Sequence, residues 1–192
     1  MDIFKLLNEQ MNDRDTLDKL GRSVGARPSQ VQQLAQIGLP ALLQALGRNA
    51  STSEGAASLD HALDQHQGDD VDDLDGFLNN VDREDGAKML QHIFAGNNVR
   101  VQDKLAQKTG MEVNQVSGLM AQLAPLLLGA LAQQKKQQHV DQSGIAGMLG
   151  GLMKQGGSTN NLMSMAMDLL DADNDGSIAD DLGGLFKGFM KR

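Results

Sequence analysis

Residues 18–48 align without a gap on residues 103–133, at an offset of 85, with twelve identities over the paired stretch. The first stretch reads DKLGRSVGARPSQVQQLAQIGLPALLQALGR and the second DKLAQKTGMEVNQVSGLMAQLAPLLLGALAQ. The identities include Gly25/Gly110 and Pro40/Pro125, the two residue types whose backbone demands are hardest to satisfy by chance. Such an offset implies that one supersecondary unit occurs twice, so the fold must accommodate two similar bodies. Each copy reads as a short helix stopped by its Gly, a second helix, and a third helix with Pro40 or Pro125 near its first turn. The two cores are expected to use Leu20, Val31, Leu34, Leu42 and Leu46, and Leu105, Val116, Leu119, Leu127 and Leu131.

Apolar residues recur at helical spacing along the whole chain, and no stretch alternates long enough to predict a strand. The expected class is all-α, with helices near 2–11, 15–24, 28–36, 39–48, 53–65, 71–79, 83–95, 98–109, 113–121, 123–138, 142–154, 159–170 and 178–190. Three parts are expected: a first unit at 1–96, the second copy at 97–140, and a Gly/Met-rich tail at 141–192. Gly150-Gly151, Gly156-Gly157 and Ser158–Asn161 should loosen the backbone of the tail. Met163, Met165 and Met167 in that tail suit either ordinary packing or an adaptable docking surface. A protein partner or self-association is therefore expected there.

The chain has no Cys, which excludes disulfides, thiolate metal sites and cysteine catalysis. Its net charge of −8 argues against nucleic acid as the main partner. The opening residues do not read as a signal peptide and no apolar segment is expected to cross a membrane, so the reading is cytoplasmic.

Asp171-Ala-Asp173-Asn-Asp175-Gly-Ser177 carries carboxylates at alternate positions followed by Gly176, the front half of an EF-hand calcium loop. Alternation brings several hard oxygens to one side of a tight loop. The back half departs from the pattern: Leu182 stands where the bidentate Glu belongs, with Asp180 and Asp181 just before it. The candidate metal ligands are Asp171, Asp173, Asp175, Ser177, Asp180 and Asp181, with weakly held calcium as the ion. The competing reading is an Asx turn followed by a helix cap.

Eleven acidic residues fall between Glu54 and Asp85, which reads as a solvated acidic face. Val71–Phe77 resembles Ala179–Leu185 at an offset of 108, placing Asp64, His66, Asp69 and Asp72 as a lapsed version of the later loop. A catalytic site gathered from acidic residues 69–85 and His92 is the enzyme alternative, although no Ser, His and Asp arrangement suggests a nucleophile with its base. A nucleic-acid alternative rests on the helix–Gly–helix units, whose second helices offer Asn114, Gln115 and Ser117, or Arg27, Ser29, Gln30, Gln32 and Gln33. The basic groups needed for phosphates are thin there.

Together these motifs resemble a bacterial family known as domain of unknown function 937. The resemblance rests on SQVQQLAQIGLPALLQALGRNA (29–50), the GAxxLxxALxQH stretch (55–66), DGAKMLQHIFAG (85–96), LAPLLLGAL (123–131) and the DxDxDGSxxDDL tail (171–182). It is distantly similar to the YidB-like proteins, which implies a homeodomain-like helical arrangement and no catalytic residues. The reading is a non-enzymatic helical binding or scaffold module.

Overall fold

The computed structural model describes residues 13–155, and every regular element among them is helical. In chain order these are α1 (Arg14–Val24), α2 (Pro28–Asn49), α3 (Ser53–Gln65), α4 (Leu74–Asn80), α5 (Arg83–Ile93), α6 (Asn98–Thr109), α7 (Val113–Gln138), a 3₁₀ turn (Gln142–Gly144) and α8 (Ile145–Gln155). The helices expected at 2–11, 159–170 and 178–190 lie outside the described residues.

Helix α7 is the axis of the molecule. Every residue from Leu119 to Ala132 is buried, so this stretch has no solvent face and must be enclosed by other helices. It is enclosed by α1, α2, α3, α5 and α6, with α5 packed most extensively against it. One contiguous apolar cluster runs through both aligned segments and on into α8. All ten expected core positions are at most 3% exposed.

Helix starts follow their local chemistry. The Asp13 carboxylate accepts the Thr16 N–H at 2.9 Å and opens α1. Thr52 caps α3 through Gly55 N–H, Asp73 caps α4 through Gly76 N–H, and Asp82 caps α5 through the N–H groups of Glu84 and Asp85. Gly25 and Gly110 close α1 and α6 with φ of 73° and 62°, a left-handed conformation that favours glycine.

The expected breaks at 36–39 and 121–123 are absent. Pro40 lies inside α2 and Pro125 inside α7, so each aligned segment is two helices rather than three. An interior proline leaves the carbonyl four residues earlier without its helical donor, and its ring crowds that carbonyl. In α2 this residue is Gln36, which is exposed. In α7 it is Ala121, and there Gly86 of α5 closes over the carbonyl: a Cβ on Gly86 would stand 1.9 Å from the Ala121 oxygen. The Gly86 Cα therefore lies directly on that oxygen, at a range where Cα–H groups contact carbonyls. Burial along both sides of the proline holds the helix together.

Helix α7 also corrects the expectation that no segment reaches transmembrane length. By length and composition Val113–Gln138 could cross a membrane, and 83% of its most apolar stretch is buried inside the fold. Gly150 and Gly151 are within α8, the helix expected near 142–154. Ile145, Met148, Leu149 and Leu152 anchor that helix in the core, mainly against α2.

Candidate functional site

The polar groups with the most organised geometry lie where the two aligned segments meet. Gln30 is the third residue of α2 and Gln115 the third residue of α7, and the 85-residue offset pairs them. Each uses its side-chain oxygen locally: Gln30 Oε1 accepts the Arg27 N–H at 3.2 Å, and Gln115 Oε1 accepts the Glu112 N–H at 3.1 Å. This is the returning arm of a capping box, which satisfies a donor at the helix start. Each uses its side-chain nitrogen across the molecule. Gln30 Nε2 donates to the Gly110 carbonyl at 2.9 Å, and Gln115 Nε2 donates to the Gly25 carbonyl at 2.6 Å.

The pattern is reciprocal, with each helix start of one segment closing the helix end of the other. Gln33 Nε2 adds a bond to the Lys108 carbonyl at 3.0 Å, and Arg83 donates to the Ser23 carbonyl at 3.2 Å. Beneath them Gln122, almost fully buried, donates to Ser23 Oγ at 3.0 Å and to the Gly118 carbonyl at 2.9 Å. The side chains of Gln30, Gln33 and Gln115, proposed from sequence as base readers, are thus engaged on backbone carbonyls. Sequence spacing revealed the glutamines but not their partners, which stand 75 to 90 residues away.

A second polar cluster was missed. Lys135 of α7 is 8% exposed and its Nζ lies 2.5 Å from Asp60 Oδ1 and 2.6 Å from Asp64 Oδ1. Asp60 and Asp64 are one turn apart on α3 and share a face, so the ammonium separates two carboxylates that would otherwise repel. Burial lowers the pKa of Lys135, but the hydrogen bonds and charge of the two carboxylates outweigh it and hold the pKa above its ordinary value. The bond from Lys135 pulls Asp64 below its ordinary value. The spacing of the two Asp residues was the available signal, hidden inside a run that otherwise reads as solvated surface.

The residues of the supposed lapsed ion loop do not converge. Asp64 takes Lys135 and the Gln67 amide, His66 Nδ1 pairs with Asp69 Oδ2 at 2.7 Å, and Asp72 is exposed. Asp82, Glu84 and Asp85 form the exposed start of α5, while His92 is exposed in its last turn. Among the described residues no group of three or more His, Asp or Glu side chains is placed to hold a metal ion. A groove of about 440 Å³ lies elsewhere, between the start of α3 and the 3₁₀ turn. Its Ser51, Thr52 and Ser143 hydroxyls are engaged with nearby groups of their own turns. Asp171, Asp173, Asp175, Ser177, Asp180 and Asp181 lie outside the described residues.

The model of a bacterial protein family of unknown function (DUF937) matches residues 5–134 and again residues 133–191. The chain belongs to this family. The second DUF937 match starts where the first ends and takes in the acidic loop at 171–182. No curated protein and no solved structure matches the chain.

Proposed function

We propose that this DUF937 protein is a non-enzymatic helical scaffold or binding module built on two helix–Gly–helix units that clasp each other. The single observation that carries the reading is the reciprocal pair Gln30–Gly110 and Gln115–Gly25. These amides hold two helix–Gly–helix corners in a fixed relation, and a module that presents a surface needs that rigidity more than a pocket. Their position also counts against a nucleic-acid reader, because three of the side chains that would face bases, Gln30, Gln33 and Gln115, are spent on the opposite corner. In this reading the tail from 156 onward, with its Met and Gly residues, supplies the protein-docking or self-association surface.

The tail would be ordered by one weakly bound calcium ion. Support for this comes from the Asp171, Asp173, Asp175 and Ser177 spacing, with Asp180 or Asp181 replacing the missing Glu. With fewer protein ligands, affinity falls in the range of about 10⁻⁴–10⁻³ M typical of weak calcium modules. Titration calorimetry and a thermal melt in millimolar calcium test it, against an Asp171→Ala/Asp175→Ala variant. A calcium response confined to the unaltered chain is expected. An identical response from both proteins reduces the loop to a turn and cap.

The scaffold reading is tested separately by affinity capture with the full chain and with a chain ending at Gln155. Specific retention of a partner by the full chain alone is expected, and equal retention by both would move the docking surface into the helical body.

A further inference from the structure

The two aligned segments meet through contacts of the kind a two-fold dimer makes, in which residue i touches j and j touches i. Gln30 reaches Gly110 while its counterpart Gln115 reaches Gly25. Nothing in that pairing requires both segments to belong to one chain. The chain enters the second segment's first helix through a short strained connection: between α5 and α6 it turns through Phe94-Ala95-Gly96-Asn97. Ala95 is held at φ 47° and Gly96 at φ 90°. Backbone bonds within the turn run from Ala95 N–H to the His92 carbonyl at 3.3 Å and from Asn97 N–H to the Phe94 carbonyl at 2.9 Å, and they leave Ala95 in its left-handed conformation. A left-handed alanine is strained in a way that glycine is not.

We propose that a second copy of this chain is a partner for the surface between the segments, with two chains exchanging residues 98–155 about the Ala95–Gly96 turn. Opening the turn releases Ala95 from its left-handed conformation. Every contact that α6, α7 and α8 make with α1 to α5 is then rebuilt against the other chain, at no cost in buried area. Because α7 is the core axis of both segments, exchange takes place as the chains fold together rather than by docking of finished monomers. Short strained hinges are the usual site of such swaps.

The absence of cysteine makes the test direct. Gln33 lies against Lys108, since its amide donates to the Lys108 carbonyl. Full-length chains carrying Gln33→Cys and full-length chains carrying Lys108→Cys are unfolded in urea, mixed, refolded at high concentration, and treated with a short bis-maleimide crosslinker. Exchange places the two thiols beside each other in the mixed dimer, and a covalent product of twice the chain mass is expected. Val99→Cys replaces Lys108→Cys as the collision control. Val99 is exposed and nine residues away on α6, about 13 Å along the helix, so its yield should be low. In the same refolding of otherwise unaltered chain, Ala95→Gly should lower the dimer fraction by about fivefold or more, because the closed turn no longer carries strain. Light scattering measures that fraction without any crosslinker. The proposal is overturned if the mixed pair crosslinks no better than the control while a Gln33→Cys/Lys108→Cys double variant closes within one chain. It is overturned equally if Ala95→Gly leaves the dimer fraction unchanged.

Discussion

Glycine means three different things along this chain, and substitution separates them. At Gly86 the lack of a side chain is a packing requirement, since a Cβ would meet the Ala121 oxygen at 1.9 Å with backbone that cannot swing aside. Gly86→Ala should force α5 off α7 and cost about 3 kcal/mol, read as a lower urea midpoint. At Gly110 the requirement is conformational: φ is 62° and there is open space around the position, so Gly110→Ala should cost only about 1–2 kcal/mol. Gly147 has neither requirement. It is exposed inside α8 with nothing within 4 Å, and Gly147→Ala should stabilise by about 0.5–1 kcal/mol through lower backbone entropy in the unfolded chain. A thermal melt that ranked the three in any other order would contradict this account. The alignment marked Gly110 as a stop, but it could not distinguish Gly86 from Gly147, because the oxygen that makes Gly86 necessary belongs to an element 35 residues away.

At the scale of elements, the sequence announced the helix starts and the glycine stops, which depend on neighbours within three or four residues. It misjudged the prolines for the same reason. A proline's local cost favours a break, whereas the burial that keeps α2 and α7 continuous comes from the helices packed around them and is invisible locally. The α3–α7 clamp is another non-local feature. Lys135 is nearly buried between Asp60 and Asp64, so Lys135→Met leaves the half-buried Asp60 beside the exposed Asp64 without a cation between them. Since both carboxylates retain some solvent contact, the expected loss is about 1–3 kcal/mol rather than that of a fully buried pair. Removing all three charges (Asp60→Asn, Asp64→Asn, Lys135→Met) should recover much of it. The double-mutant cycle between Lys135 and Asp60 measures the coupling directly, and a coupling energy near zero would reduce the clamp to a surface contact.

Across the whole molecule, the charged groups that matter stand at separate joints. Asp13 opens α1, Asp64 ties α3 to α7, and Asp141 opens the 3₁₀ turn before α8. Each carboxylate is held below its ordinary value of 3.8, Asp13 by the Thr16 N–H, Asp64 by Lys135, and Asp141 by the Ser143 hydroxyl and Gly144 N–H. A depressed folded-state pKa contributes stability that is complete above the unfolded value and is lost as pH falls through the folded one. Lys135 has the opposite sign. Its folded pKa is raised above 10.5, so its contribution is complete below that value and is lost as pH rises through the folded pKa. Stability should therefore be level through neutral pH, decline below pH 3.8, and decline again only in strong alkali. Because the three carboxylates anchor different elements, the acid decline should divide among them, with Asp64→Asn removing only part of it and Asp13→Asn and Asp141→Asn removing further parts. Lys135→Met should reduce the alkaline decline and weaken the acid one together, since Asp64 loses the partner that depresses it. Urea midpoints measured from pH 2 to pH 11 on the parent and these variants test this. An acid decline that persisted at full size in the triple Asp→Asn chain would mean that the fold's dependence on pH lies in carboxylates other than Asp13, Asp64 and Asp141, such as the rest of the acidic run between Glu54 and Asp85.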